Sequence, residues 1–120
     1  MTSPTSAHPL PFSVRRLDGE VALVTGASAG IGEAIAHHLA ALGASVVLGA
    51  RRLDKLEAVK ASIEATTPGA RVIAHAVDVT HDSMVSAWLK TAEAAFGPPT
   101  ILVDNAGLAL GRAHVADLSD

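Results

Sequence analysis

The 120 residues include no cysteine, which removes disulfides, thiolate metal ligands and cysteine nucleophiles together and accords with a cytoplasmic home. Tyrosine is absent too, and the aromatic complement is two Phe and one Trp. Hydrophobic residues still make up 49% of the chain, so the interior must be built from Ala, Val, Leu and Ile. That set suits helices packed closely on a parallel sheet. Basic charge is not in excess: nine Lys and Arg against twelve Asp and Glu leave a formal charge of -3, and neither nucleic acid nor an anionic membrane surface is expected as a partner. No apolar run reaches the roughly 18 residues of a spanning helix. The six His stand at 8, 37, 38, 75, 81 and 114, with no two spaced to share one helical face, so no metal site is expected.

Against these absences stands Thr25-Gly26-Ala27-Ser28-Ala29-Gly30-Ile31-Gly32, which joins the apolar run Val21-Ala22-Leu23-Val24 to a helix-periodic segment beginning near Gly30. It reads as strand, tight turn and helix. Three glycines allow positive φ and leave no Cβ between the turn and whatever approaches it. The first amides of the helix lack intrahelical acceptors and carry partial positive charge, so the fitting ligand is a phosphate or diphosphate. Gly26, Ala27, Ser28, Ala29, Gly30, Ile31 and Gly32 are therefore candidate cofactor-binding residues; a plain turn opening a helix is the alternative. No Lys-Ser or Lys-Thr pair follows the last glycine, and Glu33 stands where the lysine of a nucleotide-triphosphate loop would be. Hydrolysis of such a triphosphate is not expected.

The pattern then repeats. Ile31, Ala34, Ile35, His38, Leu39 and Leu42 recur at helical spacing with Gly43 as a stop, and His38 on that stripe is expected to be a semi-buried packing residue. Ser45–Ala50 reads as a short buried strand. Leu53, Leu56, Val59, Lys60 and Ile63 share one helical face before Pro68-Gly69, and Val72–Val77 is a third strand. Val85, Trp88, Leu89, Ala92 and Phe96 mark another helix, stopped by Gly97-Pro98-Pro99, and Ile101–Val103 is a fourth strand. Alternating strands and helices indicate a doubly wound parallel α/β sheet, in which ligands sit beyond the carboxyl ends of the strands. Residues 1–17, with Pro4, Pro9 and Pro11, read as a disordered leader, and residues 18–120 as the folded part.

The strand ends carry the remaining candidates. After the second strand come Arg51 and Arg52 with no carboxylate, which in a dinucleotide site favours a 2'-phosphate and hence NADP over NAD; solvated residues at a helix start are the alternative. Asp78 and Val79 follow the third strand. Their carboxylate and amide either meet the adenine edge, or Asp78 caps the next helix or braces the turn. After the fourth strand, Asp104-Asn105-Ala106-Gly107 is small and polar, as a site beside a bound ribose requires; a plain loop is the alternative.

Taken together, Thr25-Gly26-x-x-x-Gly30-x-Gly32, Asp78-Val79 and Asn105-Ala106-Gly107 resemble, in order and spacing, the cofactor half of the larger, tyrosine-dependent short-chain dehydrogenases/reductases. Gly49-Ala50-Arg51-Arg52 is similar to NADP-preferring members, and Asn105–Gly111 to NADP-dependent 3-hydroxy acid dehydrogenases. The resemblance covers residues 18 to 120. It implies a Rossmann-type sheet of order 3-2-1-4 truncated after the fourth strand, and NADP as cofactor. It also implies a parent enzyme, a homo-oligomer, that passes a hydride between nicotinamide and a small alcohol or carbonyl substrate. Asp104 departs from the family's usual Asn and adds negative charge unless it is paired. The family's catalytic Ser and Tyr-x-x-x-Lys lie after the fourth strand, so no catalytic residue is assigned and this chain alone is expected to be inactive. A non-catalytic NADP-binding module or an inactive truncated product is the alternative.

Overall fold

The computed structural model describes residues 16–105. Four strands, β1 (Val21–Thr25), β2 (Ser45–Ala50), β3 (Val72–Ala76) and β4 (Ile101–Asp104), alternate with three helices, α1 (Gly30–Ala41), α2 (Leu53–Thr66) and α3 (Asp82–Phe96). All strand pairs are parallel, in the order β3-β2-β1-β4. This is the order and Rossmann-type architecture that the resemblance implied.

β1 is buried at every residue and β2 at every residue but its last, because helices cover both faces. A strand with no solvated face has no reason to alternate apolar and polar residues. On one face Ala22, Val24, Val46 and Leu48 meet Ala36 and Ala40 of α1 and Leu56, Val59 and Ile63 of α2. On the other, Leu23, Val47 and Val77 meet Trp88 and Ala92 of α3.

The buried face of α1 differs from the expected one. Its buried residues are Gly32, Ala36 and Ala40, one turn apart, whereas Ile31 is 70% exposed and His38 is exposed rather than semi-buried. The two stripes begin at adjacent residues, about 100° apart around the helix. Close approach of α1 to the turn after β1 admits only small side chains, so size decides the innermost face; Ile31 is turned out, while Leu39 packs partly buried against the core. In α2 Leu56, Val59 and Ile63 of the expected face are buried, whereas Leu53, at the helix start, is 43% exposed.

Arg16 and Leu17, placed in the leader from sequence, are fastened to the end of α1. The Leu17 amide donates to Leu42 O at 2.7 Å, and the Arg16 guanidinium donates to Ala41 O and pairs with Asp18. The rest of the leader lies outside the described residues.

Strand register fixes where the site is. Asp104 pairs with Thr25, Thr25 with Gly49, and Gly49 with His75, so the carboxyl ends of all four strands finish at one height. The turns that follow them share one rim.

Candidate functional site

The turn after β1 is built by backbone. Gly26 has φ of 64°. The Ala27 amide donates to Gly49 O at 3.3 Å, tying the turn to β2, and the Ala29 amide donates to Gly26 O at 3.3 Å. Ala29 is the residue before the first turn of α1 and offers no side-chain cap. The first helical bond runs from the Glu33 amide to Ala29 O, so the N–H groups of Gly30, Ile31 and Gly32 have no acceptor within the helix. α2 and α3 also lack side-chain caps, but neither starts from a glycine turn.

Of the three glycines expected to supply positive φ, only Gly26 does so. Gly32 is needed for space: a Cβ there would run into Gly26 O and lie 2.7 Å from Asn105 Nδ2. A Cβ on Gly30 would meet nothing within 4 Å, which leaves that side of the turn open to a ligand.

Asn105 and Thr25 lock the fourth strand end to this turn. Asn105 Nδ2 donates to Gly26 O at 3.2 Å, and the Asn105 amide donates to Thr25 Oγ1 at 2.9 Å. The fully buried Thr25 hydroxyl lies 3.3 Å from both Val103 O and Asp104 Oδ1, as donor. The Asp104 carboxylate is thus half-buried against a hydroxyl donor, which partly meets the pairing its charge requires.

Between the strand ends opens a cleft of about 420 Å³, lined by Gly26, Ser28, Ala29, Gly49, Ala50, Arg51, Arg52, Val77, Asp78, Val79, Thr80 and Asn105. Small-molecule sites span roughly 300–1,000 Å³. The two arginines prove unequal. Arg52 donates through Nε and a terminal nitrogen to both oxygens of Asp54, at 3.1 and 3.0 Å, and the hydrogen bonds and charge of Asp54 hold its guanidinium further above its ordinary pKa. Arg51 makes no ion pair or hydrogen bond among the described residues, so its charge is available to an anion in the cleft.

Asp78 braces its own turn. Its Oδ1 accepts from the Thr80 hydroxyl at 2.6 Å and the Thr80 amide at 3.0 Å, and Oδ2 lies 3.5 Å from His81 Nε2. The Thr80 hydroxyl, then the Thr80 amide, followed by the nearby His81 and Arg51 charges, hold the Asp78 carboxyl below its ordinary pKa. Of the sequence alternatives, Asp78 braces its turn and does not cap α3, whose cap position is His81 with no side-chain cap bond; Asp78 and Val79 both line the cleft.

Gly26, Ser28, Ala29, Arg51, Arg52, Asp78, Val79 and Asn105 all come together on this cleft. Ala27 does not line it; its side chain is buried in the core. Gly30, Ile31 and Gly32 form the first turn of α1 beside the lining, with the Ile31 side chain exposed. Ala106 and Gly107 lie outside the described residues. Sequence reading missed Gly49, Ala50, Val77 and Thr80 as lining and Thr25 as a lock, although each sits at or within four residues of a strand's carboxyl end. Among the described residues no group of three His, Asp or Glu gathers to hold a metal ion, and no helix is long and apolar enough to cross a membrane.

A family model described as short chain dehydrogenase matches residues 20–120. The chain belongs to that family. Relatives of this short-chain dehydrogenase chain include the glycine betaine reductase ATRR of Emericella nidulans, 49% identical over 98 residues, covering 82% of this chain and 8% of that protein. Another is the D-beta-hydroxybutyrate dehydrogenase of Cupriavidus necator, 38% identical over 104 residues, with 87% and 38% covered. A crystal structure of a metagenomic short-chain oxidoreductase in complex with NADP superimposes with a TM-score of 0.70 at 48% identity, over 77% of this chain and 41% of that one. The chain therefore spans less than half the length of the relatives it matches. These relatives do not single out 3-hydroxy acid dehydrogenases. In this chain the glycine turn, the Asp78-Val79 pair and Asn105 share one rim, and no tyrosine occurs among the 120 residues.

Proposed function

We propose that this chain carries the NADP-binding part of a cytoplasmic, homo-oligomeric short-chain oxidoreductase acting on a small alcohol or carbonyl compound, a 3-hydroxy acid in the finer reading. One observation carries it: Ser28 and Ala29, which lead directly into the uncapped start of α1, and Arg51, which has no ion pair among the described residues, line the same cleft, at a separation of strand ends that the sheet register fixes. A dinucleotide with one more phosphate on its adenosine needs that pair of anion sites. The NADP complex of the metagenomic relative supports the cofactor, and the hydroxybutyrate dehydrogenase supports the substrate class.

In this reading the amides of Gly30, Ile31 and Gly32 hold the diphosphate, with Ser28 beside them. Arg51 takes the 2'-phosphate, and the Asp78–Thr80 turn borders the base. When bound, the cofactor supplies a nicotinamide that accepts or donates hydride. The chain's own residues bind and orient; no tyrosine among them is available to move the proton that accompanies the hydride.

Calorimetric titration of the chain with NADPH and NADH tests the proposal. A charge-assisted hydrogen bond is worth about 1.5–3 kcal/mol, so NADPH should bind roughly ten- to a hundredfold more tightly, and the gap should narrow with salt. Equal affinities would remove the NADP assignment, and binding of neither would remove the site. The alternative reading is a non-catalytic NADP-binding module. A reading frame that continues into a serine and a Tyr-x-x-x-Lys supports the enzyme; a stop codon with a stable, NADP-binding monomer supports the module.

A further inference from the structure

We infer that Trp88 is a positioning residue for the base end of the cleft, acting through Gly49 and Val77. This rests on the dinucleotide reading above. The indole is 1% exposed and does not itself line the cleft. Both residues in front of it do: Gly49, at the end of β2, and Val77, just after β3. A Cβ on Gly49 would lie 2.7 and 2.8 Å from Trp88 Cζ2 and Cε2 and 2.8 Å from Val77 Cγ1. Gly49 does not have positive φ, so its glycine is a matter of room, and the room is filled by the indole. Trp88 therefore stands one layer behind the wall, with Gly49 as the thin place that lets it reach that position.

Packing alone does not explain a tryptophan here. Its Nε1 is buried and finds no hydrogen-bond acceptor among the described residues, so a leucine or phenylalanine would avoid the cost of an unsatisfied donor. What the indole adds is a large rigid plate behind Val77. The Val77 amide donates to Ala50 O at 2.8 Å, and Asp78 and Val79 follow immediately. Where Val77 rests sets where the base-facing turn stands.

The experiment measures binding of NADPH and of its analogue with hypoxanthine in place of adenine, by calorimetry, on the whole chain. The variants are Trp88→Leu, Trp88→Phe and Ile63→Ala, the last a buried residue of the opposite core, away from the cleft. Trp88→Leu should weaken NADPH about tenfold, the equivalent of roughly 1.4 kcal/mol, and bring the affinities for the two bases closer together. Trp88→Phe should do the same to a smaller degree and supplies the reading if the leucine variant does not fold. Ile63→Ala should lower the melting temperature and leave the base ratio unchanged. An unchanged base ratio in both Trp88 variants, or an equal change in Ile63→Ala, would overturn the inference while leaving the dinucleotide site intact. Failure of the unaltered chain to bind NADPH would end both.

Discussion

The two ends of the cleft are made of different material. At the end proposed for the diphosphate the groups offered to a ligand are main-chain amides, and the contacts there lock the backbone: Gly32 fits under Gly26, and Asn105 and the buried Thr25 tie β4 to the turn. At the end proposed for the adenosine the groups are side chains in solvent, with Arg51, Arg52 and Thr80 all exposed. An end made of backbone can hold any diphosphate but cannot be altered without disturbing the fold. An end made of exposed side chains contributes little to the fold and decides which cofactor is taken. Substitutions at the first should cost stability and affinity together; substitutions at the second should change preference alone.

Gly32→Ala offers the severest test of that division. Its methyl would collide with Gly26 O and crowd Asn105 Nδ2, and overpacking of this sort costs about 1–3 kcal/mol. The variant should melt well below the parent and lose NADPH and NADH binding alike. A stable variant with normal affinity would show that the turn is looser than its close contacts imply. Next in size is Arg51→Asp, which should reverse the NADPH preference, removing its roughly ten- to hundredfold advantage and adding repulsion of the 2'-phosphate, without moving the melting temperature. Arg52→Ala should shift the preference less, because Arg52 is already held by Asp54. Titrations of both variants with both cofactors decide the order, and an equal effect would mean the Asp54 pair opens freely for a ligand. A smaller effect comes from Asn105→Ala, which removes the hydrogen bond to Gly26 O worth about 0.5–1.5 kcal/mol. It should weaken NADPH and NADH by the same factor, and an altered ratio would place Asn105 with the adenosine end instead.

The same division explains what the sequence made legible. The strands were plain because burial on both faces leaves continuous apolar runs; Ser45–Ala50 was read to the residue. The rim candidates were legible because a parallel sheet puts every strand's carboxyl end on one side. The inward face of α1 was not, since periodicity counts apolar residues and the selecting factor was smallness at Gly32, Ala36 and Ala40. The inequality of Arg51 and Arg52 was equally hidden. It depends on Asp54 lying two residues beyond one of them, in the first turn of α2, where only the folded backbone brings the carboxylate and guanidinium together. Gly49 looked like part of a strand, and its reason stands 39 positions away in Trp88.

Asp78 sharpens the comparison at its smallest, because it is a side chain of the adenosine end with a structural task. Its carboxyl is held below the ordinary value chiefly by the Thr80 hydroxyl and amide. The stabilisation it gives the turn is therefore complete above the unfolded carboxylate pKa of about 3.9 and is lost as pH falls through the lower pKa of the folded chain. Asp78→Asn keeps an acceptor for Thr80 but removes the charge that faces His81 and Arg51. It should be slightly less stable than the parent at neutral pH, and the difference should close as the solution is acidified below about pH 4. Denaturant titrations from pH 7 to pH 3 would show this. A gap that stays constant over the whole range would mean that shape, and not ionisation, is what Asp78 contributes to the turn.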